Sequence, residues 1–120
     1  MSQLTRDILK QYWGYPSFRP LQEDIVDSVI EGRDTLALLP TGGGKSICFQ
    51  VPAMAMEGVC IVITPLISLM KDQVMHLKKI GIPAAAIFSG KHHNEFKVAF
   101  NQAAFGMLKF IYVSPELLKT

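Results

Sequence analysis

Residues 35–47 constrain this chain more than any other stretch. An apolar run, Thr35-Leu36-Ala37-Leu38-Leu39, leads through the turn Pro40-Thr41-Gly42-Gly43-Gly44 into Lys45-Ser46-Ile47 at the head of a helix. Strand, glycine-rich turn and a helix opening on Gly-Lys-Ser is the layout of a P-loop, a cradle for nucleotide phosphates. Three consecutive glycines reach backbone conformations that a Cβ would close, so successive N–H groups can converge on an anion. The helix that follows aims its partial positive end at the same point. In that layout Thr41, Gly42, Gly43 and Gly44 surround the phosphates, Lys45 reaches the terminal ones and the Ser46 hydroxyl ligates Mg²⁺. The common pattern starts with glycine, where this chain has Leu39. A glycine-rich connection without a ligand would not explain why Gly-Lys-Ser falls at the helix start.

The remaining pattern alternates helices with strands. Leu4, Ile8, Leu9 and Tyr12 recur at helical spacing, which predicts an amphipathic helix from about Ser2 to Trp13, ended by Gly14. Trp13 to Phe18 reads as an aromatic-rich turn. Pro20 suits the first position of a second helix, with Leu21, Ile25, Val26, Val29 and Ile30 on one face and Gly32 as its stop. The helix from Lys45 meets Pro52, which is expected to kink or break it. Val59-Cys60-Ile61-Val62-Ile63 reads as a fully buried strand. After Thr64-Pro65 a long helix is predicted from about Ile67 to Ile80, with Lys78 and Lys79 in its last turn and Gly81 after it.

A strand from Ala84 to Phe88, a helix from about Asn94 to Phe105 and a strand at Phe110-Ile111-Tyr112-Val113 follow, and Ser114-Pro115-Glu116-Leu117-Leu118 resembles another helix start. This order implies an α/β fold with a mainly parallel sheet of doubly wound type, flanked by helices. Ligands of such sheets bind beyond the carboxyl ends of the strands. The P-loop, Thr64-Pro65 and Ser114-Pro115 are therefore predicted to share one sheet edge.

Composition narrows the class. A chain of 120 residues is one domain or part of one, and 49% hydrophobic content suffices for a core. Twelve basic and ten acidic residues give a net charge of +2, which permits nucleic-acid binding without arguing for it. Cys48 and Cys60 lie among apolar neighbours and read as buried free thiols, as in a reducing compartment. No stretch approaches the roughly 18 apolar residues of a membrane span, and the N-terminus lacks a signal peptide's apolar core. A cytoplasmic location with no membrane partner is expected. His92 and His93 are adjacent, so they cannot share a helix face and read as loop or helix-entry residues.

Four blocks, in order, resemble RecQ-family DNA helicases of superfamily 2. They are Trp13-Gly14-Tyr15-Pro16-Ser17-Phe18-Arg19-Pro20-Leu21-Gln22, Pro40-Thr41-Gly42-Gly43-Gly44-Lys45-Ser46, Thr64-Pro65-Leu66-Ile67-Ser68-Leu69-Met70-Lys71-Asp72-Gln73-Val74 and Tyr112-Val113-Ser114-Pro115-Glu116. The third is the most specific, because a generic P-loop has no reason to carry it. In the second block, a residue other than glycine at the first position is normal for that superfamily. The resemblance implies a partial RecA-like P-loop domain, the N-terminal portion of a first lobe, in a protein that couples ATP hydrolysis to 3′-to-5′ translocation and unwinding of DNA. It also implies that Gln22 hydrogen-bonds the edge of adenine while Tyr15 and Arg19 pack on its faces. An amide offers donor and acceptor side by side, so Gln22 is chemically apt, and Tyr15 and Arg19 can stack on a flat ring. Without the resemblance, Tyr15 and Phe18 read as core aromatics, Arg19 as a surface charge and Gln22 as an exposed helix residue.

The same resemblance assigns contacts with single-stranded DNA phosphates, at a single-strand or duplex junction, to Ser68, Lys71, Ser114 and the backbone near Pro65 and Pro115. Such contacts position a strand without reading its sequence. Otherwise Ser68 and Ser114 read as helix caps and Lys71 as a solvated charge. Where the family commonly has Pro-Glu-Arg-Leu, this chain has Pro115-Glu116-Leu117-Leu118, so one expected polar contact is missing.

ATP hydrolysis in this superfamily needs a strand-end carboxylate pair and arginine fingers from a second lobe. No apolar run here ends in an acidic pair. The Asp-Glu-Ala-His motif, the second lobe and the family's zinc-binding region are expected beyond Thr120, and residues 1–120 alone are expected to be inactive. The P-loop strand would then lack its usual neighbour, which predicts low stability, self-association or rearranged pairing. A stand-alone nucleotide-binding or interaction module remains the alternative, and a different P-loop enzyme such as a kinase would leave the third block unexplained.

Overall fold

The N-terminal residues wind into helix α1 (Ser2–Ile8), which continues through a wider π turn, Leu9–Trp13. These and all following positions come from a computed structural model, which describes residues 2–39, 44–87, 97–98, 100–102 and 105–116. The buried stripe is Thr5, Ile8 and Leu9, with Tyr12 packed beside it. Leu4, predicted on this face, is exposed, because the set i, i+3, i+4, i+7 that faces the core starts at Thr5. Gly14 closes the turn with φ +77°, its N–H donating to Lys10 O at 3.1 Å.

Helix α2 (Gln22–Ile30) begins two residues after Pro20, since Leu21 holds a left-handed φ of +72° that no helix interior accepts. Glu23 and Asp24 sit in its first turn, where the helix dipole favours them. Helix α3 (Ile47–Ala55) continues through Pro52 and is not broken there. Pro52 lacks a donor for the helix ladder, but its ring is fully buried, and that apolar burial offsets the missing bond. Ile8, Leu9, Val26 and Val51 form the core of this unit, with Trp13, Phe18, Ile30 and Ile47 packed on it. The unit comprises Met1–Glu57.

The strand predicted at Thr35–Leu39 is absent: residues 33–39 have no regular structure, and Leu36 and Leu38 are 87% and 81% exposed. A strand takes its backbone bonds from a neighbour, and none of the described strands flanks this segment. Residues 33–39 therefore add no strand to the described sheet, so the strand expected to lead into the phosphate loop is missing.

The second unit, Gly58–Thr120, is α/β. It contains β1 (Cys60–Ile63), α4 (Ile67–Lys79), β2 (Ala84–Ile87) and β3 (Phe110–Val113). The strands are parallel in the order β1-β3-β2. All four residues of β3 are buried, as its central place requires. β1 is an edge strand. It was expected to be fully buried, yet Ile61 and Ile63 are 46% and 56% exposed. Its run of apolar residues suits a two-sided interior, but α4 covers only the Tyr112 face, through Tyr112 Oη donating to Gln73 Oε1 at 2.6 Å, and Ile61 pairs alongside Ile111 on the other face.

Helix α4 matches its predicted span and buries Met70, Val74 and Leu77. Residues 97–98 and 100–102 are helical. Phe105, the predicted end of the Asn94–Phe105 helix, is in a turn, while Phe88, residues 94–96, 99, 103 and 104, His92, His93 and Leu117-Leu118 lie outside the described residues, as do Thr41, Gly42 and Gly43. No helix among the described residues is long and apolar enough to cross a membrane.

Candidate functional site

The shoulder of the phosphate loop is set by the first turn of α3. The helical ladder begins with the Cys48 N–H donating to Lys45 O at 3.1 Å, followed by Gln50 N–H to Ser46 O at 2.9 Å. The N–H groups of Lys45, Ser46 and Ile47 thus precede the ladder, at the positive end of a nine-residue helix. Lys45 is exposed and Ser46 is half-buried. Ser46 forms no side-chain cap on α3. Gly44 enters this turn with φ +76°. An exposed ammonium, a hydroxyl and a helix N-terminus form the donor set that a magnesium-bound polyphosphate requires, so the described part of the loop fits such a group.

Gln22 is 2% exposed, not the surface residue that its helix position alone suggests. Its Nε2 donates to Gly44 O at 3.1 Å, and its Oε1 accepts the Arg19 N–H at 2.7 Å. The aromatic block and the phosphate loop therefore meet through this amide. Cys48 Sγ lies 3.8 Å from the same Gly44 oxygen. That contact was missed from sequence, although a spacing of four residues into a helix is the signal for it. Nothing in the sequence announces the Gln22–Gly44 bond.

Arg19 is exposed, Tyr15 is half-exposed and Phe18 packs on the core. An open cleft of about 600 Å³ runs along Phe18, Arg19, Pro20 and Leu21, closed on the far side by Arg6, Glu23 and Asp24. Tyr15 and Gln22 do not line it, so the structure brings Arg19 to the cleft and Gln22 to the loop without gathering all three around one space. Arg6 grips Glu23 with two bonds, of 2.8 and 3.0 Å, and the Glu23 carboxylate holds the guanidinium above its ordinary pKa.

In the second unit, β1 and β3 pair with Ile63 beside Val113. Thr64-Pro65 and Ser114-Pro115 therefore leave the same carboxyl edge side by side, as predicted for these two segments. Thr64 N–H donates to Val113 O at 3.1 Å, and Ser114 N–H to Ile87 O at 3.3 Å. Pro65, Ser68 and Lys71 are exposed, Ser68 and Lys71 on the first turns of α4, and Pro115 is half-buried. Ser114 differs. It is 2% exposed, and its hydroxyl meets no partner among the described residues. In this conformation it is closed to a DNA phosphate, because its backbone is tied into the sheet edge beside β2.

Among the described residues no three His, Cys, Asp or Glu side chains gather as a metal site. Cys48 and Cys60 are free thiols. Burial pushes both pKa values up, with Lys109 opposing the shift at Cys60. Cys60 is only partly buried, less than its sequence neighbours suggest.

Residues 19–120 match the sequence profile of the DEAD/DEAH box helicases. The chain belongs to this family. The parallel sheet flanked by helices is its partial RecA-like architecture, and the resemblance to RecQ proteins read from the four blocks holds along the whole chain. The ATP-dependent DNA helicase RecQ of Pasteurella multocida is 44% identical over 120 residues, covering 100% of this chain and 19% of that protein. RecQ of Bacillus subtilis is 45% identical over 119 residues, 98% of this chain and 20% of its own length. The ATP-dependent helicase SGS1 of Saccharomyces cerevisiae is 41% identical over 114 residues, 92% of this chain and 8% of its length. The chain thus spans about a fifth of the RecQ proteins it matches. Members of the DEAD/DEAH box family are ATP-using helicases.

Proposed function

We propose that residues 1–120 form the front of the first RecA-like lobe of a RecQ-like DNA helicase, a protein that hydrolyses ATP to move 3′ to 5′ along DNA and unwind it. The observation that carries this reading is the Gln22–Gly44 bond of 3.1 Å, which joins the base-reading block to the phosphate loop. In this reading Lys45 faces the terminal phosphates, Ser46 takes Mg²⁺ and Thr41, Gly42, Gly43 and Gly44 line the loop. Arg19 and Tyr15 serve the adenine, and Gln22, 2% exposed with both ends of its amide engaged, would join them only after a change that uncovers it. When bound, Mg²⁺-ATP supplies the phosphoanhydride whose cleavage drives movement. Exposed Pro65, just after β1, and exposed Ser68 and Lys71, on the first turns of α4, support contact with a single strand of DNA, at a junction with duplex. Pro115 stands at the neighbouring strand end. Ser114 would join them only after a change that uncovers it.

Calorimetry tests the reading. Wild-type chain is expected to bind Mg²⁺-ATP weakly, and Lys45→Ala to abolish binding, since the lysine supplies the charge facing the terminal phosphates. No turnover is expected with or without DNA, because β1, β2 and β3 end at Ile63, Ile87 and Val113 and no carboxylate pair follows them among the described residues. DNA-stimulated hydrolysis by residues 1–120 would refute this placement of the chain within the enzyme. Self-association belongs to the same proposal, supported by the exposed leucines of residues 33–39 and by the exposed isoleucines of β1.

A further inference from the structure

The last glycine of the phosphate loop is braced from the side by a residue that reading it as a base contact does not explain. The Gly44 carbonyl lies outside the α3 ladder, because the Cys48 N–H four residues on donates to Lys45 O instead. Side chains take the place of that missing donor. Gln22 Nε2 donates to Gly44 O at 3.1 Å, and the Cys48 thiol lies 3.8 Å from it. Gln22 is itself fixed, 2% exposed and held at Oε1 by the Arg19 N–H at 2.7 Å. The approach is close enough that a Cβ built on Gly44 would collide with the Gln22 amide nitrogen. The φ of +76° at position 44 favours glycine, and a side chain there would in addition push the Gln22 amide aside.

We propose that Gln22 is a positioning residue of the phosphate loop: its amide holds Gly44 in the left-handed turn that delivers Lys45 and Ser46 to the ligand, so it supports polyphosphate binding whether or not a base is present. The proposal rests on the reading of residues 40–46 as a phosphate loop. Its chemistry is simple. A part-buried carbonyl loses stabilisation when it loses its donor, and a loop whose last carbonyl gains a side-chain donor in one conformation is biased toward that conformation. Trimming Gln22 releases the carbonyl, and the turn then samples geometries in which the lysine and the serine no longer converge.

The test compares a ligand with a base and a ligand without one. Mg²⁺-ATP and Mg²⁺-tripolyphosphate are titrated calorimetrically into residues 1–120, wild type and Gln22→Ala, and the Gly44 carbonyl ¹³C shift is followed by NMR. Gln22→Ala is expected to weaken both ligands by about fivefold to tenfold, the effect of one neutral hydrogen bond, and to move the Gly44 shift. Weakened ATP binding with unchanged tripolyphosphate binding would show a base contact only and overturn the positioning role. A wild type that binds neither ligand would overturn the phosphate-loop reading itself, a separate failure.

If Gln22→Ala loses the wild-type circular dichroism, Gln22→Asn carries the test, since its amide is one methylene too short to reach Gly44. A second check uses Gly44→Ala, whose damage to tripolyphosphate binding should be smaller in the Gln22→Ala background than in wild type. Strictly independent effects of the two substitutions would show that the amide and the glycine do not act together.

Discussion

Leu21 holds φ +72°, alone among the described non-glycine residues in the left-handed region. A residue with a Cβ pays about 1–2 kcal/mol there, and the location tells why the strain is kept. Leu21 is the hinge between Pro20 and the first turn of α2, and its turn places the very next side chain, Gln22, against Gly44. Since the leucine side chain is 59% exposed, little burial is lost when it is replaced. Asparagine visits this region more readily and lacks glycine's extra freedom in the unfolded chain. Leu21→Asn is therefore expected to raise stability by about 0.5–1 kcal/mol, and Leu21→Val to lower it by a similar amount. Urea unfolding of the three proteins checks the order, and a valine variant as stable as the asparagine one would remove the strain argument.

Between elements, the bond from Tyr112 Oη to Gln73 Oε1, 2.6 Å long, ties central strand β3 to helix α4. The tyrosine is fully buried, so Tyr112→Phe leaves a glutamine oxygen without that donor and is expected to cost about 1–2 kcal/mol. Hydrogen exchange in α4 should rise with the loss, because α4 is the element that presents Ser68 and Lys71. An unchanged unfolding midpoint and unchanged exchange would show the bond to be incidental. This scale also separates what the sequence shows from what it hides. α4 was legible from 3.6-residue spacing, Lys78 and Lys79 in the last turn and Gly81 after it, all of them local signals. Central β3 was legible because its four residues are β-branched or aromatic. Residues 35–39 are an apolar run but, Thr35 apart, neither β-branched nor aromatic, and they form no strand, since a strand exists only with a neighbour. Pro52 does not break α3 for a related reason: its ring is buried in a helix whose packing partners, α1 and α2, lie far away in sequence. At the site, Gly-Lys-Ser marked the loop, whereas the burial of Gln22 and of Ser114 depends on packing that no motif encodes.

For the whole molecule, the unpaired apolar surface decides behaviour in solution. Each unit has its own source of it: Leu36 and Leu38, 87% and 81% exposed, in the first, and Ile61 and Ile63, 46% and 56% exposed on an edge strand, in the second. An irregular segment with exposed leucines and a sheet edge with unpaired backbone groups are the two kinds of surface that other chains complete by strand addition. Side-chain burial and backbone pairing both favour association, while a net charge of +2 opposes it only weakly. The chain is therefore expected to self-associate between low micromolar and its highest soluble concentration, as sedimentation velocity would show. Leu36→Lys with Leu38→Lys places two charges on the irregular segment, and Ile61→Lys with Ile63→Lys places two on the β1 face. If the leucine segment adds to the β1 edge of a second copy, either pair alone should return the chain to a monomer. If the leucines meet only each other, the isoleucine pair should leave association intact. A wild type that stays monomeric at every concentration would refute self-association altogether, and these apolar side chains would then be exposed without any role in assembly.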